Sequence, residues 1–109
     1  VQPLPDEWIL LEQSIESAHP YAAGAEDLFE IEVPEGATEL RIHFSRIDLE
    51  ESYDSLELLD EDLNVIARWD GAHEDLTSPV VSGNYALLNL RSDDSQQRWG
   101  FAVDRIEYR

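Results

Sequence analysis

The chain has 109 residues, of which 42% are hydrophobic, so it fits a single domain with a modest core. Twenty-five Asp and Glu residues face seven Arg and no Lys, and the net charge of −18 disfavours nucleic acid and anionic membrane surfaces as partners. No apolar run could cross a bilayer, and the lack of cysteine excludes disulfides, thiolate zinc sites and cysteine nucleophiles. Adaptation to salt, unrelated to function, is an alternative explanation of the acidic surface.

The N-terminal half predicts strands separated by turn chemistry. Residues 1–14 are interpreted as a tether with a possible first strand at 8–11, because two prolines precede that apolar run. Apolar residues alternate with Glu over 29–33, and residues 40–44 alternate in the same way, as half-buried strands require. The Pro-Glu-Gly-Ala sequence at 34–37 predicts the turn between them.

The C-terminal half continues this pattern. Residues 53–59 and 65–69 are predicted to form a hairpin, because they flank a polar turn. Residues 70–79, marked by a glycine and a proline, are interpreted as a loop. Two further strands are predicted at 85–90 and 101–108. Short strands with turns about every ten residues indicate an all-β antiparallel sandwich.

Two acid-rich stretches each follow a predicted strand. Residues 48–54 read Asp-Leu-Glu-Glu-Ser-Tyr-Asp, and residues 92–95 read Ser-Asp-Asp-Ser. Loops that follow strands can meet at one end of a sandwich, where their carboxylates repel one another unless a cation bridges them. Calcium suits such an oxygen-rich site because it accepts six to eight oxygens in loose geometry. Chance clustering in so acidic a chain is the alternative.

These stretches also resemble a known family. Acid-Leu-Glu, Tyr-Asp, Ser-Asp-x-Ser and then Gly-Phe-Ala at 100–102 occur in an order similar to that of calcium-binding CUB domains. Residues 15–21 look like the motif that precedes the family's first long strand. The run 15–108 resembles the CUB-like modules at the C-termini of secreted bacterial and archaeal peptidases. The resemblance implies a jelly-roll-like CUB-like sandwich over 15–109, secreted or extracellular, with no catalytic role of its own.

The resemblance also implies a set of metal ligands. Glu50, Asp54 and Asp93 match the family's three metal carboxylates, Ser95 matches a further oxygen ligand, and the carbonyl of Asp94 could add another. Two departures stand out: Glu50 and Asp54 are closer in sequence than in animal CUB domains, and the family's paired cysteines are missing.

A protein partner follows from the same resemblance. In CUB domains the metal-ligating acids grip a basic side chain of a partner, so we expect a protein partner or an attached hydrolase domain, such as a peptidase. Tyr53 and Trp99 adjoin the proposed ligands and are predicted to contact the partner or ligand, although Trp99 could equally be a core residue. A carbohydrate-binding or adhesive module that uses Trp99 is the alternative function. Catalysis has little support, because Val81-Ser82-Gly83 lacks the flanking glycine of a nucleophile elbow.

Overall fold

The computed structural model describes residues 8–109, which form two antiparallel sheets. The predicted tether falls partly on residues 1–7, which lie outside the described residues, and the domain boundary at residue 14 stays a prediction. The strands are β1 (Ile9–Leu11), β2 (Ile15–Glu16), β3 (Glu26–Glu32), β4 (Glu39–Asp48), β5 (Ser55–Leu59), β6 (Val65–Trp69), β7 (Ala72–Thr77), β8 (Val81–Ser82), β9 (Tyr85–Arg91) and β10 (Gly100–Tyr108).

The larger sheet has the order β1-β10-β4-β7, with β2 beside β10 and β8 beside β4, and the smaller sheet has the order β3-β9-β5-β6. All the pairings are antiparallel, and residues 8–109 contain no helix, so nothing in this range could span a membrane as a helix. The predicted all-β antiparallel sandwich is therefore confirmed.

The core lies between the two sheets, where the inward-facing side chains of both pack together. Phe101 of the larger sheet meets Phe29 of the smaller one edge to face, with ring centroids 5.1 Å apart. Phe44 packs edge to face against both Trp69 and Phe101. Trp69 is only partly buried but packs against the buried cluster.

The interpretation of residues 70–79 as a loop is wrong, because β7 occupies most of this segment. Its Ala-His-Glu-Asp-Leu-Thr sequence is polar, yet the strand pairs with β4 in continuous register. A strand at the edge of a sheet has only one neighbour and tolerates polar, exposed side chains. Strand β4 is also longer than predicted, since the exposed polar residues Ser45 and Arg46 conceal its continuation to Asp48.

Candidate metal site

The two acid-rich loops meet because of how the strands cross between the sheets. At one end of the sandwich, Asp48 at the end of β4 pairs with Gly100 at the start of β10. At the same end, Ser55 at the start of β5 pairs with Arg91 at the end of β9. The connections 49–54 and 92–99 therefore pass from sheet to sheet side by side.

Three predicted carboxylates converge where these loops touch. One carboxylate oxygen from each of Glu50, Asp54 and Asp93 can be chosen so that all three lie within 4.8 Å of one another. Calcium binds oxygen at about 2.3–2.6 Å, so two ligands of one ion lie at most about 5 Å apart. The three side chains therefore fit a single calcium ion in both donor chemistry and spacing.

The other two predicted ligands lie close by but outside this group. The backbone N–H of Ser95 donates to Asp93 Oδ1 over 3.0 Å, which places Ser95 beside the cluster. Asp94 is exposed, and its side chain lies next to Gly24, whose N–H donates to the Asp93 carbonyl over 2.8 Å. These contacts hold the Asp93 loop against the segment that follows β2.

Asp54 is the anchored member of the cluster. It is only 2% exposed, and its Oδ1 accepts a 2.9 Å hydrogen bond from the Asp93 N–H. Its Oδ2 accepts a 2.5 Å bond from the hydroxyl of Tyr21, and that hydroxyl in turn accepts the Glu50 N–H over 3.2 Å. Asp54 and Tyr21 thus tie together the backbones that carry the other two carboxylates.

Tyr21 is a site residue that sequence reasoning missed. Burial, followed by the hydrogen bond to Asp54, raises the pKa of Tyr21 to about 12, so its hydroxyl stays protonated and donates. Its only sequence signal was its position at the end of the 15–21 motif. Nothing local indicates that this tyrosine contacts a carboxylate 33 residues further along the chain.

The surroundings of Glu50 disfavour its negative charge. Loss of hydration, followed by the charges of Asp93 and Asp54, raises the pKa of the Glu50 carboxyl. The folded state therefore disfavours the ionised form of Glu50, and a cation held among the three carboxylates would remove that penalty.

Arginine side chains border the acidic cluster on one side. Asp48 is buried, and it accepts hydrogen bonds from Arg98 Nε at 2.7 Å and Arg46 Nη2 at 3.2 Å. The carboxylate of Asp48 is thereby paired with two guanidinium groups and lies outside the three-carboxylate group, whereas Glu50 and Asp93 are partly exposed.

The two predicted partner-contact residues differ in accessibility. Tyr53 is 71% exposed at an open cleft of about 480 Å³. Trp99 is half-buried, and the ring of His19 stacks on it at 3.8 Å between centroids. The guanidinium of Arg46 also lies over this indole, 4.5 Å from the ring centroid. The cleft beside Tyr53 is also lined by Glu50, Glu51, Asp93, Ser95 and Gln96.

The chain is thus a β-sandwich module of two sheets, and two loops that cross between the sheets lie side by side at one end. The family model of the CUB domain matches residues 11–105, and the chain belongs to the CUB domain family. CUB domains are extracellular, generally non-catalytic modules that mediate protein–protein interactions, and their homologues are extracellular or secreted proteins.

Two known proteins show the extent of the similarity. The chain is 37% identical over 84 residues to Kremen protein 1 of Rattus norvegicus, an alignment that covers 76% of this chain and 18% of that protein. The solved structure of the CUB1-EGF-CUB2 domain of human MASP-1/3 superposes with a TM-score of 0.70 and 25% identity. That superposition covers 87% of this chain and 40% of the other. The chain thus spans less than half the length of each.

Proposed function

We propose that this CUB domain is a calcium-dependent protein-binding module. The observation that carries the proposal is the convergence of Glu50, Asp54 and Asp93 within 4.8 Å. Ser95 and the Asp94 carbonyl would supply further oxygens to a bound Ca²⁺, which would neutralise the repulsion among the three carboxylates.

The protein's own residues prepare the site in two ways. Tyr21 fixes the Asp54 carboxylate and the Glu50 backbone, while Asp54 fixes the Asp93 backbone. Because both loops are held through the same three ligands, occupancy of the site would order them into one surface. An ion that binds the folded state but not the unfolded state stabilises the fold by about 2.7 kcal/mol when the free ion exceeds its Kd a hundredfold.

The surface so formed suits a basic side chain of a protein partner. Glu50 and Asp93 are partly exposed at the cleft, and Tyr53 stands at its rim. A Lys or Arg side chain would meet the free lone pairs of the carboxylates and the face of the tyrosine ring. The cationic residues Arg46 and Arg98 are already engaged by Asp48 and leave this approach negative.

We place the module in a longer secreted protein, attached to a hydrolase such as a peptidase. The support is the resemblance to peptidase-associated modules, together with the small fraction of each known relative that this chain covers. The alternative, glycan binding through Trp99, has no specific support, because the indole is half-buried and contacts His19 and Arg46 of the same chain. Binding of the parent protein to a glycan array that is lost in Trp99→Ala would nevertheless support glycan binding.

Thermal melting tests the calcium site. We expect the melting temperature to rise with Ca²⁺ at constant ionic strength, and Asp54→Asn to remove that rise. Because Asp54 also supports the loops, Glu50→Gln is the sharper variant. It removes a repelling charge, so we expect it to melt at a higher temperature than the parent in EDTA and to respond little to Ca²⁺.

Glu51→Gln is the matched control, since Glu51 is the exposed neighbour and lies outside the three-carboxylate group. This variant should keep the full calcium response. If Glu50→Gln responds to Ca²⁺ as strongly as Glu51→Gln does, or if NaCl of equal ionic strength reproduces the effect, the proposed site is wrong.

A further inference from the structure

A buried histidine lies on the larger sheet, far along β4 from the acidic loops. The side chain of His43 is 6% exposed, and both ring nitrogens contact carboxylates. Nδ1 lies 2.5 Å from Asp104 Oδ1 on β10, and Nε2 lies 2.5 Å from Asp75 Oδ1 on β7. An ionised carboxylate only accepts hydrogen bonds, so both nitrogens must donate, and only the imidazolium form can do this.

Backbone irregularities on both flanking strands bring the two carboxylates to the ring. On β10, Val103 pairs with Phe44 and Arg105 pairs with His43, which leaves Asp104 as the extra residue of a β-bulge. On β7, Asp75 has a left-handed backbone with φ of 50°. Such a conformation is uncommon for a residue other than glycine and costs about 1–3 kcal/mol.

We propose that His43 is a proton-dependent clasp, which as an imidazolium ties the edge strand β7 to β10 across β4 and which opens when it loses its proton. A neutral imidazole has one N–H, so one carboxylate would face a nitrogen lone pair at 2.5 Å. The contact between His43 and Asp75 is the one that breaks, because the side chain of Asp75 is 89% exposed and that of Asp104 is 45% exposed.

The surrounding charges agree with this assignment. From β10, Arg105 opposes the imidazolium and Asp104 favours it, while Asp75 is the acid that faces it from β7. On β4 itself, Arg41 is occupied by Glu107 at 3.0 Å. Farther out, Glu74 of β7 pairs in register with Arg46, and Glu12 lines the same open cleft as Asp104.

The titration of this group fixes the pH range in which the clasp is closed. Burial lowers the pKa of His43, but the hydrogen bonds that its ring donates to Asp104 and Asp75 outweigh burial and raise the pKa above 6.5. A raised histidine pKa stabilises the fold below about 6.5, and this contribution is lost as the pH rises through the folded value. Burial raises the pKa of Asp104, but the hydrogen bond from His43 and the charge of its ring outweigh burial and lower that pKa. The stability that ionised Asp104 contributes is therefore lost only as the pH falls through the lowered value.

Opening the clasp loosens the strand at the edge of the sheet. Within residues 8–109, β4 is the only strand that pairs with β7. The start of β7 also adjoins the Glu50 loop, since Gly71 O accepts the Leu49 N–H and Asp70 Oδ2 accepts the Ser52 N–H. The inference itself needs no metal and stands if the calcium proposal fails.

Ring NMR and amide hydrogen exchange test the clasp on the chelated protein. The ¹⁵N shifts of His43 should show a doubly protonated ring at pH 6 that titrates above 6.5. Exchange protection of the β7 amides should fall as the pH rises through that titration, by up to tenfold per pH unit. His43→Gln should abolish this pH dependence.

His73→Gln is the matched control, because His73 lies on β7 itself but its Nε2 contacts the backbone carbonyl of Asp70 and no carboxylate contact is needed to explain its position. That variant should keep the pH dependence of β7 protection. A neutral His43 ring at pH 6 overturns the inference in the parent protein, with no variant required. So does β7 protection in His43→Gln that varies with pH as it does in the parent.

Discussion

At the scale of single residues, the acidic end of the sandwich depends on Tyr21, which is 1% exposed. Its hydroxyl donates to Asp54 and accepts from the Glu50 backbone, so Tyr21→Phe leaves a carboxylate oxygen and an N–H without that partner. An unsatisfied buried polar group costs about 1–3 kcal/mol. We expect Tyr21→Phe to lower the free energy of unfolding by that amount and to weaken the calcium response, measured by urea unfolding with and without Ca²⁺.

Tyr53→Phe is the matched control, since it removes the same hydroxyl from a residue that is 71% exposed and only one position from Asp54. Its unfolding free energy should change by less than about 0.5 kcal/mol, as is usual for surface substitutions. Equal losses in the two variants would contradict the assigned role of Tyr21.

At the scale of elements, the start of β10 is fixed by the close approach of Ser17, which directly follows β2. Gly100 has φ of +108°, and a Cβ there would lie only 2.0 Å from Ser17 Oγ. That hydroxyl accepts the Phe101 N–H and donates to the Ala18 carbonyl, so it cannot move without breaking hydrogen bonds. Gly100→Ala should therefore destabilise the fold through both backbone strain and a steric clash.

Gly36→Ala separates these two effects. Gly36 has a similar φ of +98°, but a Cβ there would have nothing within 4 Å. We expect the loss of unfolding free energy in Gly100→Ala to exceed that in Gly36→Ala by about 1–3 kcal/mol, since overpacking adds about that much. Equal losses in chemical denaturation would show that Ser17 does not constrain this junction.

At the scale of the whole molecule, a net charge of −18 on 109 residues makes the fold sensitive to ionic strength. The screening length is about 30 Å at 0.01 M salt and about 3 Å at 1 M, so repulsion spans much of the domain only at low salt. We expect the melting temperature in EDTA to rise steadily between these concentrations. A melting temperature independent of NaCl would contradict this expectation, whereas the response to Ca²⁺ should begin near the Kd of its site and then grow with the logarithm of the free ion concentration.

Much of the fold follows from local pattern. Alternation of apolar and polar residues over 29–33 and 40–44 is a backbone property of strands and needs no knowledge of partners. The same reasoning failed for β7, where Leu76 is the only large aliphatic side chain and the neighbouring strand supplies the pairing. Edge position is a non-local property, and no window of sequence contains it.

By itself, the sequence determined the all-β class, the acid-rich loops and the candidate carboxylates Glu50, Asp54 and Asp93. Only the tertiary structure decided which carboxylates share a site. That depends on where the connection from β4 to β5 and the connection from β9 to β10 cross between the sheets. It also decided that Asp48 pairs with arginines, that Trp99 contacts His19 and Arg46, and that His43 lies between two acids. Charge and hydrogen-bonding capacity are written into each residue, whereas their effects depend on neighbours that only folding brings together.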